Sequence, residues 1–532
     1  MWVPDEARWR VLLTLATLNL LSDWICFSVA PISAYAEAEF PGLRPSVLVA
    51  AFLVANVSAT LTEPYLLRRF GLHRIVVAAA AVMLAGNLLK AGLPVVAPNR
   101  SAALVVAGFV VVGAAQPFFQ VTAVATIQNW LPVSERTLGT MVALNANQLG
   151  IGLAYVVGGL TVGSVAAVQR YFQLLTLLSA LGLAAACAIF RTRPAHPPSA
   201  SAAAKWGSAI AASAAAAAAT GTERGNTGEP TGRVDATTGR SFEAAAAAAP
   251  SAAAAVACEA CGHASRILPL FGRPGFWHTL VVFCVAVAAT NVVGTFLPDL
   301  MTGIGRDSFT STGLLGAVFQ LAVAAGGTAV GVLNDRLHAY YATAVVLLTA
   351  AAAALVAAAE LFRMGRYDGL WAVLPALGAA VGPLKPLMTD LGVDVVFPHD
   401  ENDVLFVQQV TCNVFSTLLI LLFDAISNLT SLQYLSAIYV MTAGTLAALL
   451  LFAGTFNGKY LRLKFDVGNA LRGEKELLEE GAGSSSGDGR SSGAWSRSGS
   501  DGGGGGGRSG GDSPAPAAGA VALVWGGGGA RS

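Results

Sequence analysis

Twelve apolar runs, each near the length needed to cross a bilayer, decide what this chain can fold into. They lie at about 11–33, 46–66, 75–94, 102–127, 138–160 and 171–190. A second set follows at about 277–300, 311–333, 342–362, 370–391, 404–426 and 433–456. A helical span takes about 20 mostly apolar residues, because hydrocarbon leaves no backbone polar group a partner outside the helix. The pattern therefore predicts an all-α membrane protein with 12 transmembrane helices in two six-helix bundles, over 1–190 and 273–456. Composition agrees: 55% of the 532 residues are hydrophobic and 12% charged, against about 25% charged in soluble domains. The net charge of +1 and the lack of any long basic stretch give no sign of nucleic acid. The lipid bilayer is the partner the pattern demands. Only about ten residues precede the first run, itself long enough to span, so no cleavable signal is expected.

Residues 191–272 are rich in Ala, Thr, Ser and Gly, and the tail, 457–532, becomes almost pure Gly and Ser. The alanine blocks 214–219 and 244–249 have no apolar face to bury. Linker and tail are both expected to be disordered and cytoplasmic. Orientation follows from basic residues in short loops. Arg8, Arg10, Arg68, Arg69, Arg74, Arg136, Arg191, Arg193 and Arg336 collect on the side of the N-terminus; Arg44, Arg100, Arg170, Arg306, Arg363 and Arg366 lie opposite. Both termini are thus expected inside, with the plasma membrane favoured and an internal membrane as the alternative. The sequons at Asn99 and Asn428 fall in loops placed outside, while a third, at Asn56, lies within a span and is expected to be inert. Of six cysteines, Cys26, Cys187, Cys284 and Cys412 lie in apolar runs and read as small core residues. Cys258 and Cys261 with His263 form a C-x-x-C-x-H in the linker. It lacks a second ligand pair, and Gly262 spoils a c-type haem motif, so no metal and no cofactor are expected. The halves contain no P-loop and no nucleophile elbow, so neither an enzyme nor an ATP-driven pump is expected.

The fifth run carries the clearest sign of function. Asn129–Gly159 reads NWLPVSERTLGTMVALNANQLGIGLAYVVGG. A polar turn, with Pro132 as breaker and Ser134 as a helix N-cap, leads into an uncharged span holding Asn145, Asn147, Gln148 and four glycines. Amides in hydrocarbon are costly unless paired or wet. They therefore either line a pathway or bond to neighbouring helices. An echo in the second half favours the pathway. VVFPHDEN precedes run eleven as NWLPVSER precedes run five, and Asn413 then stands within one residue of the place of Gln148. Matching amides at one depth in two six-helix halves point to one site between them.

Six plus six helices with a long inner loop resemble the major facilitator superfamily. Gly331-Val332-Leu333-Asn334-Asp335-Arg336 is similar to its G-x-x-x-D-R signature, a charge latch in which the acid is favoured by a helix dipole and the arginine pairs across the loop. The equivalent loop of the first half, LLRRFGLHR, has Arg68 where the acid usually stands. Within the superfamily the chain resembles the feline leukaemia virus subgroup C receptor-type transporters, related to haem and choline exporters. Trp24-Ile25-Cys26-Phe27-Ser28, then Trp130, Glu135 and Arg136 followed by Asn147-Gln148-Leu149-Gly150, and Gly382-Pro383-Leu384 with Asp390 to Pro398 carry that likeness. It implies that Trp24 and Gln148 line a central substrate site: an indole face attracts a quaternary ammonium and an amide holds a hydroxyl, which suits choline or ethanolamine. Asn291 stands where choline-transporting relatives place a tyrosine, so the aromatic cage is incomplete.

Asp23, Lys90, Lys385, Asp390 and Asp424 are charged residues within apolar runs. Charges within spans are functional candidates by default. Lys90, near the end of its run, is expected to be structural and to snorkel, and Asp424 lies near the outer end. Asp23 and Asp390 lie deeper and are candidate proton-coupling groups. Glu135 and Arg136 are expected to form a gating or structural ion pair, as are Asp335 and Arg336. The expectation is a secondary transporter, working as a monomer, that moves a small metabolite by alternating access around Trp24, Gln148, Asn291 and Asn413. A choline- or ethanolamine-like cation is favoured. The alternatives are a haem exporter, disfavoured by few histidines (His278 alone begins a span), and a non-transporting membrane receptor.

Overall fold

Each apolar run becomes a helix whose ends are set by proline, by glycine or by the return of charge. The computed structural model describes residues 5–93, 101–132, 135–194, 265–305, 308–337, 339–397, 401–427 and 434–458, with a few isolated positions between them. In the first half α1 is Arg8–Phe27, α2 the short Ser33–Glu39 that prolongs it, α3 Pro45–Phe70, α4 Leu72–Ala91, α5 Ala102–Ala115, α6 Pro117–Trp130, α7 Arg136–Thr161 and α8 Val165–Ile189. In the second half α9 is Phe276–Gly303, α10 Phe309–Leu337, α11 Tyr340–Arg363, α12 Tyr367–Val381, α13 Leu384–Val396, α14 Glu401–Ser427 and α15 Leu435–Thr455. A two-residue antiparallel pair, Gly92–Leu93 with Ala97–Pro98, follows α4. Among the described residues, 12 helical stretches are long and apolar enough to cross a membrane. The all-α, twelve-span fold expected from the runs is the one observed.

Local sequence explains the boundaries. Pro45 opens α3, where its missing N–H costs nothing. Gly71, at φ 78°, ends α3 and starts α4, a backbone turn that a side chain would strain. The fourth and tenth spans are each interrupted near the middle, at Gln116-Pro117 between α5 and α6 and at Gly382-Pro383 between α12 and α13. Proline offers no N–H to the carbonyl one turn back, so the ladder breaks there. Interrupted spans at matching places in two halves are where a transporter fold can hold polar groups at mid-depth.

In the first half α1 packs on α7 and α8, and α5 lies against α3 and α4; in the second, α9 packs on α13, α14 and α15. Two seams join the halves: α7 against α10, and α3 against α14. One apolar cluster runs the full depth of the first half, from Val11 and Trp130 at the terminus end to Phe27 and Phe40 at the other, and at that far end takes in Phe296, Met301 and Phe423 of the second half. A separate cluster around Phe276, Met388 and Phe452 belongs to the second half alone, at the terminus end. The halves are thus sealed together at the far end. Lipid is as apolar as leucine, so close packing and polar pairing, not hydrophobic burial, hold such seams.

Candidate functional site at the seams between the halves

A buried chain of amides crosses from one half to the other. Gln116, at the break of the fourth span, donates from Nε2 to Asp23 Oδ1 of α1 at 2.8 Å. Its Oε1 accepts from Asn56 Nδ2 of α3 at 2.7 Å. Asn56 Oδ1 in turn accepts from Asn413 Nδ2 of α14 at 2.8 Å, and Thr60 donates to the same oxygen at 3.3 Å. All four residues of the chain are buried. Its direction is set at one end. An ionised carboxylate can only accept, so Gln116 must turn its NH₂ to Asp23, and each following amide falls into line. Asp23 Oδ2 has no hydrogen-bond partner among the described residues, which leaves an acceptor open at mid-depth.

The second seam is built differently. Met141, Asn145, Gly152, Tyr155 and Gly159 of α7 recur at intervals of three, four or seven residues, one stripe of a helix. They meet Gly331, Thr328, Gln320, Gly316 and Gly313 of α10. A Cβ on Gly316 would overlap the Tyr155 ring, so only glycine lets the helices approach this closely. Polar contacts are few: Asn145 Nδ2 donates to Thr328 Oγ1 at 2.7 Å, and the Tyr155 hydroxyl donates to the Gly294 carbonyl of α9 at 2.5 Å. Gln148 lies in the same stripe, half-buried, with Oε1 unpartnered. Gln320 is fully buried, and neither amide atom has a partner among the described residues.

The residues expected to line one site are spread over several places. Asn413 is in the amide chain. Asn291 is buried within the second half and donates to Ser416 Oγ of α14 at 3.2 Å. Trp24 packs inside the first half, where its indole N–H donates to the Tyr171 hydroxyl of α8 at 2.8 Å. Gln148 belongs to the other seam. No hydrogen bond joins any two of these four. Asp23 sits at the head of the amide chain, while Asp390 is exposed on α13, in a small cleft with Gly331, Asn334, Pro383 and Pro386. The side chains of Asp335, Arg336 and Arg136 lie outside the described residues, as do Ser134, Cys258, Cys261, His263 and the sequons at Asn99 and Asn428.

One expectation needs correction and another is extended. Glu135 pairs with Arg8 of α1, at 2.9 and 3.1 Å, which reaches across from the facing helix; the side chain of Arg136, its expected partner, lies outside the described residues. The Arg8 guanidinium holds the Glu135 carboxyl below the usual range. Lys90 does not snorkel. It is 0% exposed, with its ammonium 4.5 Å from the Phe109 ring centre and 5.3 Å from that of Phe172, a cation held by aromatic faces within the first half. Asp424 lies at the far end, as expected, and accepts from Ser46 at 2.9 Å and Arg44 at 3.4 Å. Gln116, Gln320 and Asn56 escaped notice in the sequence, Asn56 because it read only as a sequon. A further buried acid, Glu63 of α3, keeps one oxygen unpartnered.

Comparison with known proteins places this geometry. The family model described as Major Facilitator Superfamily matches residues 12–420. Among solved structures the chain is similar to one titled "Crystal structure of D-xylose-proton symporter", with a TM-score of 0.61 and 12% sequence identity over 85% of this chain and 98% of that one. No curated protein sequence matches. The likeness at 12% identity concerns the fold, and the matches reach the superfamily without singling out the receptor-type family within it.

Proposed function

Because the chain belongs to the major facilitator superfamily, and is thus a membrane transporter, we propose that it moves a small polar metabolite by rocking its halves about the buried chain Asp23–Gln116–Asn56–Asn413. The observation that carries this reading is that the chain crosses the interface at mid-depth and ends on an acceptor oxygen without a partner. Groups so placed are expensive in hydrocarbon and serve best where a ligand completes them.

Within this class an ethanolamine-like cation fits better than choline. An N–H of a primary ammonium can donate to Asp23, whereas a quaternary ammonium needs aromatic faces, and the Trp24 ring is buried in the apolar cluster of the first half. Asp23 also serves as the coupling group. When it takes a proton it can donate, and the direction of the amide chain is no longer imposed from that end. Lys385 of α13 is the cation that acts on it electrostatically. With the termini cytoplasmic, the sealed far end faces outward and the arrangement is inward-facing. The protein then works as a monomer at the plasma membrane, with linker and tail inside the cell.

The test is uptake by cells expressing the full chain, offered labelled choline, ethanolamine, haem and pyridoxine. Uptake of ethanolamine that depends on Asp23 and on a pH gradient supports the reading. Uptake of haem alone, or ethanolamine flux untouched in Asp23→Asn at every pH, overturns it.

A further inference from the structure

The buried face of α3 changes character halfway along. Down to Leu53 its buried residues are apolar apart from Ser46; beyond Leu53 they are Asn56, Thr60 and Glu63. Steps of four and three place these on one stripe of the helix. Asn56 belongs to the amide chain and Thr60 donates into it. Glu63, one turn nearer the terminus end, is 3% exposed, and its Oε1 has no hydrogen-bond partner among the described residues. Pro64 follows it inside the helix and offers no N–H to the Thr60 carbonyl one turn back, which is left without its helix donor. An ionised carboxylate adds to that shortage of donors, whereas a protonated one brings its own hydrogen. The charges around the stripe do little for an ionised Glu63. Arg68, five residues on and exposed, is the cation that acts on it. Of the helices packed on α3, α5 and α6 carry no charged side chain. At the terminus end Asp403 of α14 is engaged by Arg266, Arg8 of α1 by Glu135, and His73 of α4 by the Phe190 carbonyl, while His278 of α9 meets Thr455. Arg10 and Arg74 are exposed. Asp23 lies behind Gln116, and Lys90, Asp299 and Asp424 lie toward the far ends of their helices.

We propose that Glu63 is a proton-binding site that ties the closing of α3 to pH: with a proton it stays buried on the stripe, and without one it draws water in and loosens the terminus-side half of the helix. A proton is a ligand that needs no cavity. A buried charge without a partner is costly in hydrocarbon, so an ionised Glu63 favours any arrangement that wets it. The closed form then holds one proton more than the loosened form, and the balance moves to the loosened form as pH rises. The Thr60 hydroxyl donates to Asn56 Oδ1, which accepts from Asn413 of the other half, so a shift of the stripe reaches the bond between the halves. The switch rests on the reading of the halves as rocking about that bond and deepens it. Its test needs no substrate, so a failure of ethanolamine uptake and a failure of the switch are told apart.

The experiment follows amide hydrogen exchange over residues 54–70 of the purified full chain, without substrate, in phosphatidylcholine nanodiscs between about pH 5.5 and 8.5. Rates are corrected for the intrinsic base-catalysed rise. Glu63→Gln keeps shape and brings a donor but no exchangeable charge; Glu63→Met, the second variant, removes both. The expected result is that wild-type protection in this segment falls with rising pH, approaching about tenfold per pH unit, the slope that one proton gives. The outer part of α3, residues 45–53, should keep its protection. Both variants should hold the low-pH protection of the wild type at every pH. A wild-type segment indifferent to pH would overturn the switch. So would a slope that persists in both variants, and if Asp23→Asn then removed it the proton would belong to Asp23. Protection lost in both variants even at low pH would show that the carboxyl is bonded within the protein as a structural group, and would overturn the proposal as well.

Discussion

The two seams between the halves solve the same problem with different chemistry. Along α3 and α14 the halves are held by polar pairs: Arg44 and Ser46 on Asp424 at the far end, and Asn56 on Asn413 at mid-depth. Along α7 and α10 they are held by shape, with Tyr155 seated over Gly313 and Gly316, and two glutamines are left without full pairing. Hydrogen bonds between membrane helices are worth only about 0.6 kcal/mol on average, so the polar seam can part and re-form at modest cost. A close-packed seam is lost as a whole when one contact is spoiled. The difference suggests a division of labour, with α3–α14 as a latch and α7–α10 as a bearing.

The strongest way to break this contrast is Gly316→Val. The new side chain meets the Tyr155 ring and cannot be absorbed by rotating a flexible tip. The expected cost is about 3 kcal/mol or more, seen as loss of monodisperse protein after extraction. Normal yield and melting would show that shape does not hold this seam.

Next in size is Asn56→Leu. It removes three hydrogen bonds, the 3.3 Å one from Thr60 among them, and leaves Gln116 Oε1 and Asn413 Nδ2 buried without partners, a loss of about 1–3 kcal/mol. Adding Asn413→Leu should recover part of that loss, because removing both partners of a bond is cheaper than removing one. Additive costs in the thermal double-mutant cycle would mean that the two asparagines are not coupled across the interface.

A third change sharpens the contrast by function. Asp23→Asn keeps a group able to accept from Gln116, so the latch should form and the protein should melt near the wild-type temperature, while ethanolamine uptake should fall because the charge that holds the ammonium is gone. The response to an imposed pH gradient should disappear. A variant still driven by the gradient would free Asp23 of the coupling role and turn attention to Glu63, the other buried acid with an open oxygen.

Helix number and the two-half arrangement were legible because apolar length is a one-dimensional signal; the breaks at Pro117 and Pro383 were not, since each lies within a run that reads as one continuous span. The fifth span also declared itself, since three amides in an uncharged run have few explanations. What the sequence could not show was which amide meets which. Asn56 and Asn413 are 357 positions apart, and nothing local marks Asn56 as more than a polar residue one turn before Thr60. Gln320 was hidden for a similar reason: a single glutamine in an apolar run looks satisfied until every neighbour is known. Trp24 illustrates the reverse. Its position on α1 was readable, but the direction of its ring depends on Tyr171, which lies 147 positions away.

The smallest expected effect belongs to a contact outside both seams. Arg8 and Glu135 lie within the first half, with side chains 20% and 28% exposed, and a partly solvated pair of this kind contributes less than about 1 kcal/mol. Because Arg8 holds the carboxyl of Glu135 below its ordinary value, the contribution is complete above the unfolded carboxylate value of about 4.3 and is lost as pH falls through the lower folded value. Glu135→Gln should therefore melt slightly below the wild type at neutral pH. The difference should shrink with added salt and close in strong acid, and transport should be unaffected. If Glu135→Gln instead stopped transport without moving the melting temperature, the pair would be a gate. The latch between the halves would then extend beyond α3 and α14 to the terminus end of α1, where charge would do what the amide chain does at mid-depth.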